Sequence, residues 1–199
     1  MISNMNSNRI AWLDLETGGL DGMQKNGTVG CIQYPILEIA LIVTDSELNL
    51  SDEAGIRVVI HHSETVLANM DSWALEHHQK SGLLDEVRAS TIDIAQAEQM
   101  VIEYLKQNGA TAYNRKTKSG TLMAGNSIKF DRNYLNCQMP ELDTFFHYRQ
   151  IDISSVALLC RLWKPEIERE VKKDYRHLAL QDIKESIEEA KLYKRLLFK

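Results

Sequence analysis

The chain has 199 residues, 44% hydrophobic and 26% charged, the composition of an ordinary globular protein with room for one substantial core. Its formal charge of −5 and pI near 5.7 exclude the broad basic field that tight, length-independent binding to long nucleic acid requires, while leaving room for a short substrate held by local contacts. Three separated cysteines (Cys31, Cys137, Cys160) with no CxxC pair exclude a disulfide framework or a cysteine-rich zinc site and suit a reducing compartment.

The N-terminal stretch MISNMNSNR has one arginine and no apolar run, unlike a signal peptide; residues 1–8 are expected to form a flexible tail. Residues 9–16 read as a first strand, with Trp12, Asp14 and Glu16 on one face and Leu13 and Leu15 on the other. A loop rich in glycine and polar residues (18–35) leads to ILEIALIVTD (36–45), a nearly all-apolar second strand. Its apolar stretch is nine residues long and broken by Glu38, too short to span a bilayer, so a soluble cytoplasmic protein without membrane association is expected. DSELN (45–49) offers turn residues, and AGIRVVIHH (54–62) reads as a third strand, antiparallel through this short connection.

From 64 to 108 the pattern becomes helical. The clearest stripe is Ile94, Ala97, Val101, Tyr104 and Leu105, with Ser90 or Thr91 placed to cap the helix. YNRKTKSG (113–120) is a basic loop, TLMAGN (121–126) a short strand, SIKFDRNYLNCQ a helix and YRQIDIS (148–154) a fifth strand. Helices then run to the end, interrupted by Pro165. Three meandering strands followed by alternating helix and strand predict a single α/β domain over residues 1–199, a mixed five-stranded sheet flanked by helices.

An acid-x-acid pair is weak evidence by itself, because 28 acids in 199 residues yield roughly four such pairs by chance. Asp14 and Glu16 differ from Asp45/Glu47, Glu141/Asp143, Glu166/Glu168 and Glu168/Glu170 in having apolar flanks and a following Gly-Gly. Two acids on one face of a buried strand repel each other and lose hydration, which is costly unless a cation lies between them. Further along, AGNSIKFDRNYL places Asp131 just after an apolar strand, and YRHLALQDIKESI places His177 five residues before Asp182. Four carboxylates and a histidine from separated segments form the inventory of a two-metal phosphoryl-transfer site, and hard oxygen donors suit Mg²⁺ or Mn²⁺ rather than zinc. Residues five apart on an unbroken helix diverge by about 140°, so His177 is expected in a loop or the first helical turn.

The segments WLDLETGGLD, EIALIVTD, GNSIKFDRNYL, HYRQIDIS, LCRLWKPEI and HLALQDIKESI, in that order, resemble the oligoribonuclease family of DEDDh 3′→5′ exonucleases with a ribonuclease H-like fold. The resemblance implies that Asp14, Glu16, Asp131 and Asp182 hold two divalent cations, Mg²⁺ or Mn²⁺, and that His177 is the general base. It implies a substrate of short single-stranded RNA, roughly two to five nucleotides and dinucleotides above all, cut to nucleoside 5′-monophosphates. It assigns Leu20 and Trp73 to base contacts and Ser127 and His78 to the substrate backbone or 5′ phosphate. In a homodimer, Tyr148, Arg149 and Ser154 would come from the other subunit.

Thr17-Gly18-Gly19 stands where the family usually has Met-Thr-Gly, which is expected to loosen the loop carrying Leu20. Segments 22–35 and 110–121 are longer than the family's, and Gln181 replaces its usual acid. Two alternatives remain open at this level. One is a DEDDh exonuclease acting on longer single-stranded DNA or RNA, and the other a catalytically silent nucleic-acid-binding module on the same fold.

Overall fold

The computed structural model describes residues 9–169 and 179–198. The chain begins with β1 (Ile10–Thr17), a short α1 (Gly30–Gln33), β2 (Ile36–Thr44) and β3 (Ile56–Val59). The helical stretch is α2 (Glu64–Leu67), α3 (Ser72–Ser81), α4 (Leu83–Ala89) and α5 (Ile94–Gln107). Then come β4 (Leu122–Gly125), α6 (Lys129–Gln138), α7 (Pro140–Phe145), β5 (Gln150–Asp152), α8 (Ile153–Trp163), α9 (Pro165–Glu168) and α10 (Ala179–Leu197).

Among the described residues the strands form one five-stranded sheet in the order β3-β2-β1-β4-β5. β1 runs antiparallel to β2, β2 antiparallel to β3, and β4 parallel to both β1 and β5. This is the mixed sheet expected from the sequence. β3 and β5 fall furthest short of their expected lengths, each for a local reason. β3 gives way beyond Ile60, whose N–H still donates to Leu37 O of β2 at 2.8 Å, while the next N–H, of His61, points the other way and donates to Ile92 O at 2.8 Å. β5 ends at Asp152 because that carboxylate accepts from the Ser154 N–H at 2.9 Å and so caps α8.

The period-2 alternation of β1 sorts its side chains into two cores. Leu13 and Leu15 pack with Ala97, Val101 and Leu105 of α5 and with Tyr134 and Leu135 of α6. Trp12 packs on the other face with Ile153 and Cys160 of α8 and Ile183 and Ile187 of α10. All nine residues of β2 are buried, Glu38 included. A third cluster joins Leu37 to the helices α2–α4 through Leu67, Ala74, Leu84 and Val87.

The expected stripe of α5 is borne out, but not its cap. Asp93 accepts from the Gln96 N–H at 2.8 Å while Gln96 Oε1 accepts from the Asp93 N–H at 2.9 Å. This reciprocal box starts the helix later than Ser90 or Thr91 would. The Ser90 hydroxyl instead donates to Val59 O at 2.7 Å, tying the helical layer to β3. Within the described residues, no helix is long and apolar enough to cross a membrane.

Candidate active site

The site forms where β1 parts from β4. Their parallel pairing stops at Trp12 opposite Ala124, so β1 continues with a free edge on that side. α6 follows β4 and turns Asp131 into the gap, where its Oδ1 accepts the Leu15 N–H at 3.0 Å. Asp131 is thereby only 3% exposed. Asp14 and Glu16 flank Leu15 and point to the Trp12 face, and Glu16 lies directly opposite Glu38 in the β1–β2 register.

These acids act on one another electrostatically. Burial first, then the negative charges of Asp182 and Glu38, push Asp14 up to about 7. Burial again, followed by the charges of Asp14, Glu38 and Asp182, pushes Glu16 up to about 8. The Asp131 carboxyl is also held well above the ordinary range, by burial and then by Asp14. Asp182 enters from the first turn of α10. The fold therefore brings Asp14, Glu16, Asp131 and Asp182 into one electrostatic cluster. His177 lies outside the described residues.

Crowded carboxylates that favour their protonated forms present hard oxygen donors to a divalent cation, which relieves their repulsion once it binds. The donor set fits Mg²⁺ or Mn²⁺ in that sense. Among the described residues, no three acidic or imidazole side chains are already drawn together as a finished metal cage.

Glu38 went unrecognised as part of the site, although an acid inside an all-apolar strand was the signal for it. It is 3% exposed, and its Oε2 accepts from Arg57 Nη2 at 2.6 Å. Arg57 also forks onto Glu86 at 2.7 and 3.1 Å. The guanidinium is thus a fixed cation on the β2–β3 side of an otherwise acidic wall.

Beside the acids lies a cavity of about 690 Å³ lined by Leu20, Met23, Trp73, His77, His78 and Phe130, with Glu16 at its rim. Leu20 is 73% and Trp73 68% exposed, so neither is a core residue. Asp71 caps α3 by accepting from the Trp73 N–H at 2.9 Å, and the indole stacks on His77 with centroids 4.9 Å apart and planes 6° apart. His78 is buried and shares a 3.0 Å hydrogen bond between Nε2 and Thr17 O. A carbonyl only accepts, so Nε2 carries the proton and Nδ1 faces Glu16 Oε2 at 4.0 Å. Burial holds this imidazole below its usual pKa.

The Gly18-Gly19 turn is tight rather than loosened. Gly19 O accepts from the Tyr134 hydroxyl at 2.6 Å and from the Thr17 hydroxyl at 2.9 Å. A Cβ on Gly19 would meet the Tyr34 ring at 2.5 Å, so only glycine lets that ring close over the turn.

Ser127 and Ser154 meet within one chain. Ser127 takes a positive φ of 51°, its N–H donates to Asp152 Oδ1 at 3.1 Å, and its hydroxyl donates to Ser154 Oγ at 3.2 Å. Ser154 donates to Asn126 Oδ1 at 3.3 Å, and Asn126 donates through Nδ2 to Ser186 Oγ at 2.8 Å. The Ser186 hydroxyl in turn donates to Asp182 O, so this polar chain runs to the helix turn bearing the fourth acid. Tyr148 and Arg149 stand on an aromatic ladder with Tyr113 and His147. Tyr148 stacks on His147 at 4.5 Å between centroids, and the guanidinium carbon of Arg149 lies 5.4 Å from the Tyr148 centroid.

The chain is similar to known proteins over nearly its whole length. A family model described as Exonuclease, of RNase T type, matches residues 11–190. The chain is 43% identical over 198 residues to the oligoribonuclease of Pseudoalteromonas translucida, covering 98% of each. It is 46% identical over 191 residues to that of Hydrogenovibrio crunogenus, covering 96% of this chain and 95% of the relative. Among solved structures it is similar to Escherichia coli exonuclease I in complex with a dT13 oligonucleotide, with a TM-score of 0.68 at 19% identity over 96% of this chain. The zinc-bound exonuclease I–ssDNA complex gives a TM-score of 0.67 at 18% identity over 94% of this chain. This chain spans about two fifths of those exonuclease I chains, covering 41% and 40% of them, and the likeness to them is one of fold.

Proposed function

The chain belongs to the exonuclease family, in its oligoribonuclease branch, and on that premise we propose that it is a 3′→5′ exoribonuclease that cuts very short RNA to nucleoside 5′-monophosphates. One observation carries the reading: Glu16, which interacts electrostatically with Asp14, Asp131 and Asp182, lines a cavity of about 690 Å³ whose wall also offers the exposed Leu20 and Trp73. That volume is of small-ligand size rather than that of an extended nucleic-acid channel.

Asp14, Glu16, Asp131 and Asp182 are the residues to hold two Mg²⁺ or Mn²⁺ ions, which when bound supply Lewis acidity at the scissile phosphate and lower the pKa of a water. Asp131 is oriented for this by the Leu15 N–H. Leu20 and Trp73 clasp the base at the 3′ end, the indole face supplying sequence-tolerant stacking. His78 secures the floor through Thr17 and turns Nδ1 toward Glu16. His177 takes the proton from the attacking water, a role that an imidazole pKa near 6.5 suits at neutral pH.

The assembly we propose is a homodimer. Along α8, Leu158, Leu159, Leu162 and Trp163 are 54%, 43%, 72% and 73% exposed, a row of large apolar side chains that a second copy would cover. In that dimer Tyr148 and Arg149 bind the 5′ phosphate of substrate seated in the partner. Ser154 stays with Ser127 of its own chain, where the two hydroxyls meet.

The test is a length series of 5′-labelled RNAs, from two to about twenty nucleotides, with Mg²⁺ or Mn²⁺. Turnover that falls steeply with length supports the proposal. Undiminished turnover of the longest strands favours an exonuclease for longer single-stranded nucleic acid instead.

A further inference from the structure

The segment from Gly19 to Tyr34, which carries Leu20 and Met23 of the cavity wall, rests on α6, the helix that carries Asp131. Several contacts secure it. Asn133 donates to Asp21 at 2.6 Å, Tyr134 to Gly19 O at 2.6 Å, and Gln138 Nε2 donates to Cys31 O at 2.8 Å and to Tyr34 O at 2.7 Å. The Gln138 carboxamide also accepts the Ile36 N–H at 3.3 Å. At the centre of this clamp Cys31 Sγ and Cys137 Sγ lie 2.9 Å apart, although 106 positions separate them in sequence. Both are free thiols, Cys31 buried and Cys137 exposed.

We propose that Cys31 and Cys137 form a reversible thiol–disulfide site, oxidised by small hydroperoxides, that covalently ties the Leu20–Met23 segment to the Asp131 helix. A disulfide bond measures about 2.05 Å between sulfurs, so the two thiols need to close by under about 1 Å in a setting that Gln138 already holds in register. Exposure gives the two cysteines different parts. The Cys137 thiolate meets the oxidant, and its sulfur attacks the terminal peroxide oxygen. The O–O bond breaks, giving the sulfenic acid and releasing water, or an alcohol from an organic hydroperoxide. The Cys31 sulfur then attacks the Cys137 sulfur. The S–S bond forms, the S–O bond breaks, and the departing hydroxide takes the Cys31 proton to leave as water. Two thiols lose two electrons in all, and the peroxide gains them.

Burial pushes the Cys31 thiol up to about 11, which suits it to resolving a neighbour's sulfenic acid rather than to sensing peroxide in solution. Cys160 lies on the opposite face of the sheet, with Ile153 and Ile183, and takes no part.

The experiment treats the full chain with a few equivalents of hydrogen peroxide, then reads intact mass and a non-reducing peptide map. The expected result is a loss of about 2 Da and a peptide linking Cys31 to Cys137 within one chain, both reversed by dithiothreitol. Cys137→Ser, at an exposed position, abolishes the linkage and Cys160→Ser preserves it. Cys31→Ser strands a sulfenic acid on Cys137 that dimedone traps. Trypsin cleavage after the exposed Lys25 is expected to slow several-fold in the linked form. A wild-type chain that yields the dimedone adduct without the linkage, links only between chains or leaves Cys137 unreacted overturns the proposal. An unchanged cleavage rate at Lys25 overturns the tying of the segment.

Discussion

The backbone N–H of Leu15 donates to the carboxylate of Asp131 at 3.0 Å, joining β1 to α6 across 116 positions of sequence. One side chain therefore serves the fold and the proposed chemistry, and two substitutions separate those roles. Asp131→Asn keeps an acceptor for Leu15, so its Tm should stay near wild type while RNA hydrolysis falls by about 100-fold or more. Asp131→Ala also leaves the N–H unpaired in a buried place, a cost of about 1–3 kcal/mol that should lower Tm by several degrees. Thermal scans paired with a dinucleotide assay check both. Retained hydrolysis in either variant would contradict the metal-ligand role.

In chelator, the acid cluster should make the protein less stable as pH rises. Asp14 and Glu16 reach about 7 and about 8 in the fold, from ordinary values of 3.8 and 4.5. Between those limits the folded chain holds protons that the unfolded chain has released, so stability is full below about pH 4 and is lost progressively up to about pH 8. Mg²⁺ or Mn²⁺ should reverse the trend, raising Tm more at pH 8 than at pH 5, and titration should show protons released on binding. A metal-induced Tm shift that is equal at both pH values would count against the cluster.

Arg57→Met should destabilise the fold through Glu38, whose side chain is 4% exposed against 36% for Arg57. Burial pushes the Glu38 carboxyl up and the Arg57 hydrogen bond opposes it. Without that partner the variant should lose about 1–3 kcal/mol, discounted for the half-open guanidinium. Adding Glu38→Gln should recover most of the loss in urea midpoint.

Trp73→Ala tests the cavity wall. The indole is largely exposed and stacks on His77, so the fold should tolerate its removal with little change in Tm. Losing about 1–3 kcal/mol of base stacking should raise KM for short RNA roughly 5- to 150-fold. An unchanged KM would place the substrate elsewhere.

Leu162→Glu puts a charge into the exposed row on α8. Sedimentation should show a monomer, and turnover of 5′-phosphorylated dinucleotides should fall if Arg149 acts across the interface. A fully active monomer would remove the proposed dimer contribution.

Much of this molecule could be read along the chain, because the informative patterns are local. Alternation in β1 separated Trp12, Asp14 and Glu16 from Leu13 and Leu15, and both faces pack as that alternation requires. The α5 stripe followed from its helical period, and the segment motifs were enough to assign the family. Where short-range rivals competed, reading failed: Ser90 or Thr91 was the expected cap, and Asp93 takes the role because Gln96 reciprocates with it. The Gly18-Gly19 turn read as loose because glycine is permissive, yet Tyr34 and Tyr134 from elsewhere in the chain lock it.

The sequence by itself determined the five strands, the longer helices, the acidic face of β1 and the family, since periodicity and motif are carried by neighbours, but not the single helical turn α1 inside the 18–35 loop. Only the tertiary structure decided that Glu38 joins that face and is answered by Arg57, that β4 parts from β1 to admit Asp131, and that Cys31 meets Cys137. Those are pairings between distant segments. Strand register and helix docking set them, and no local pattern encodes the distance between two side chains a hundred residues apart.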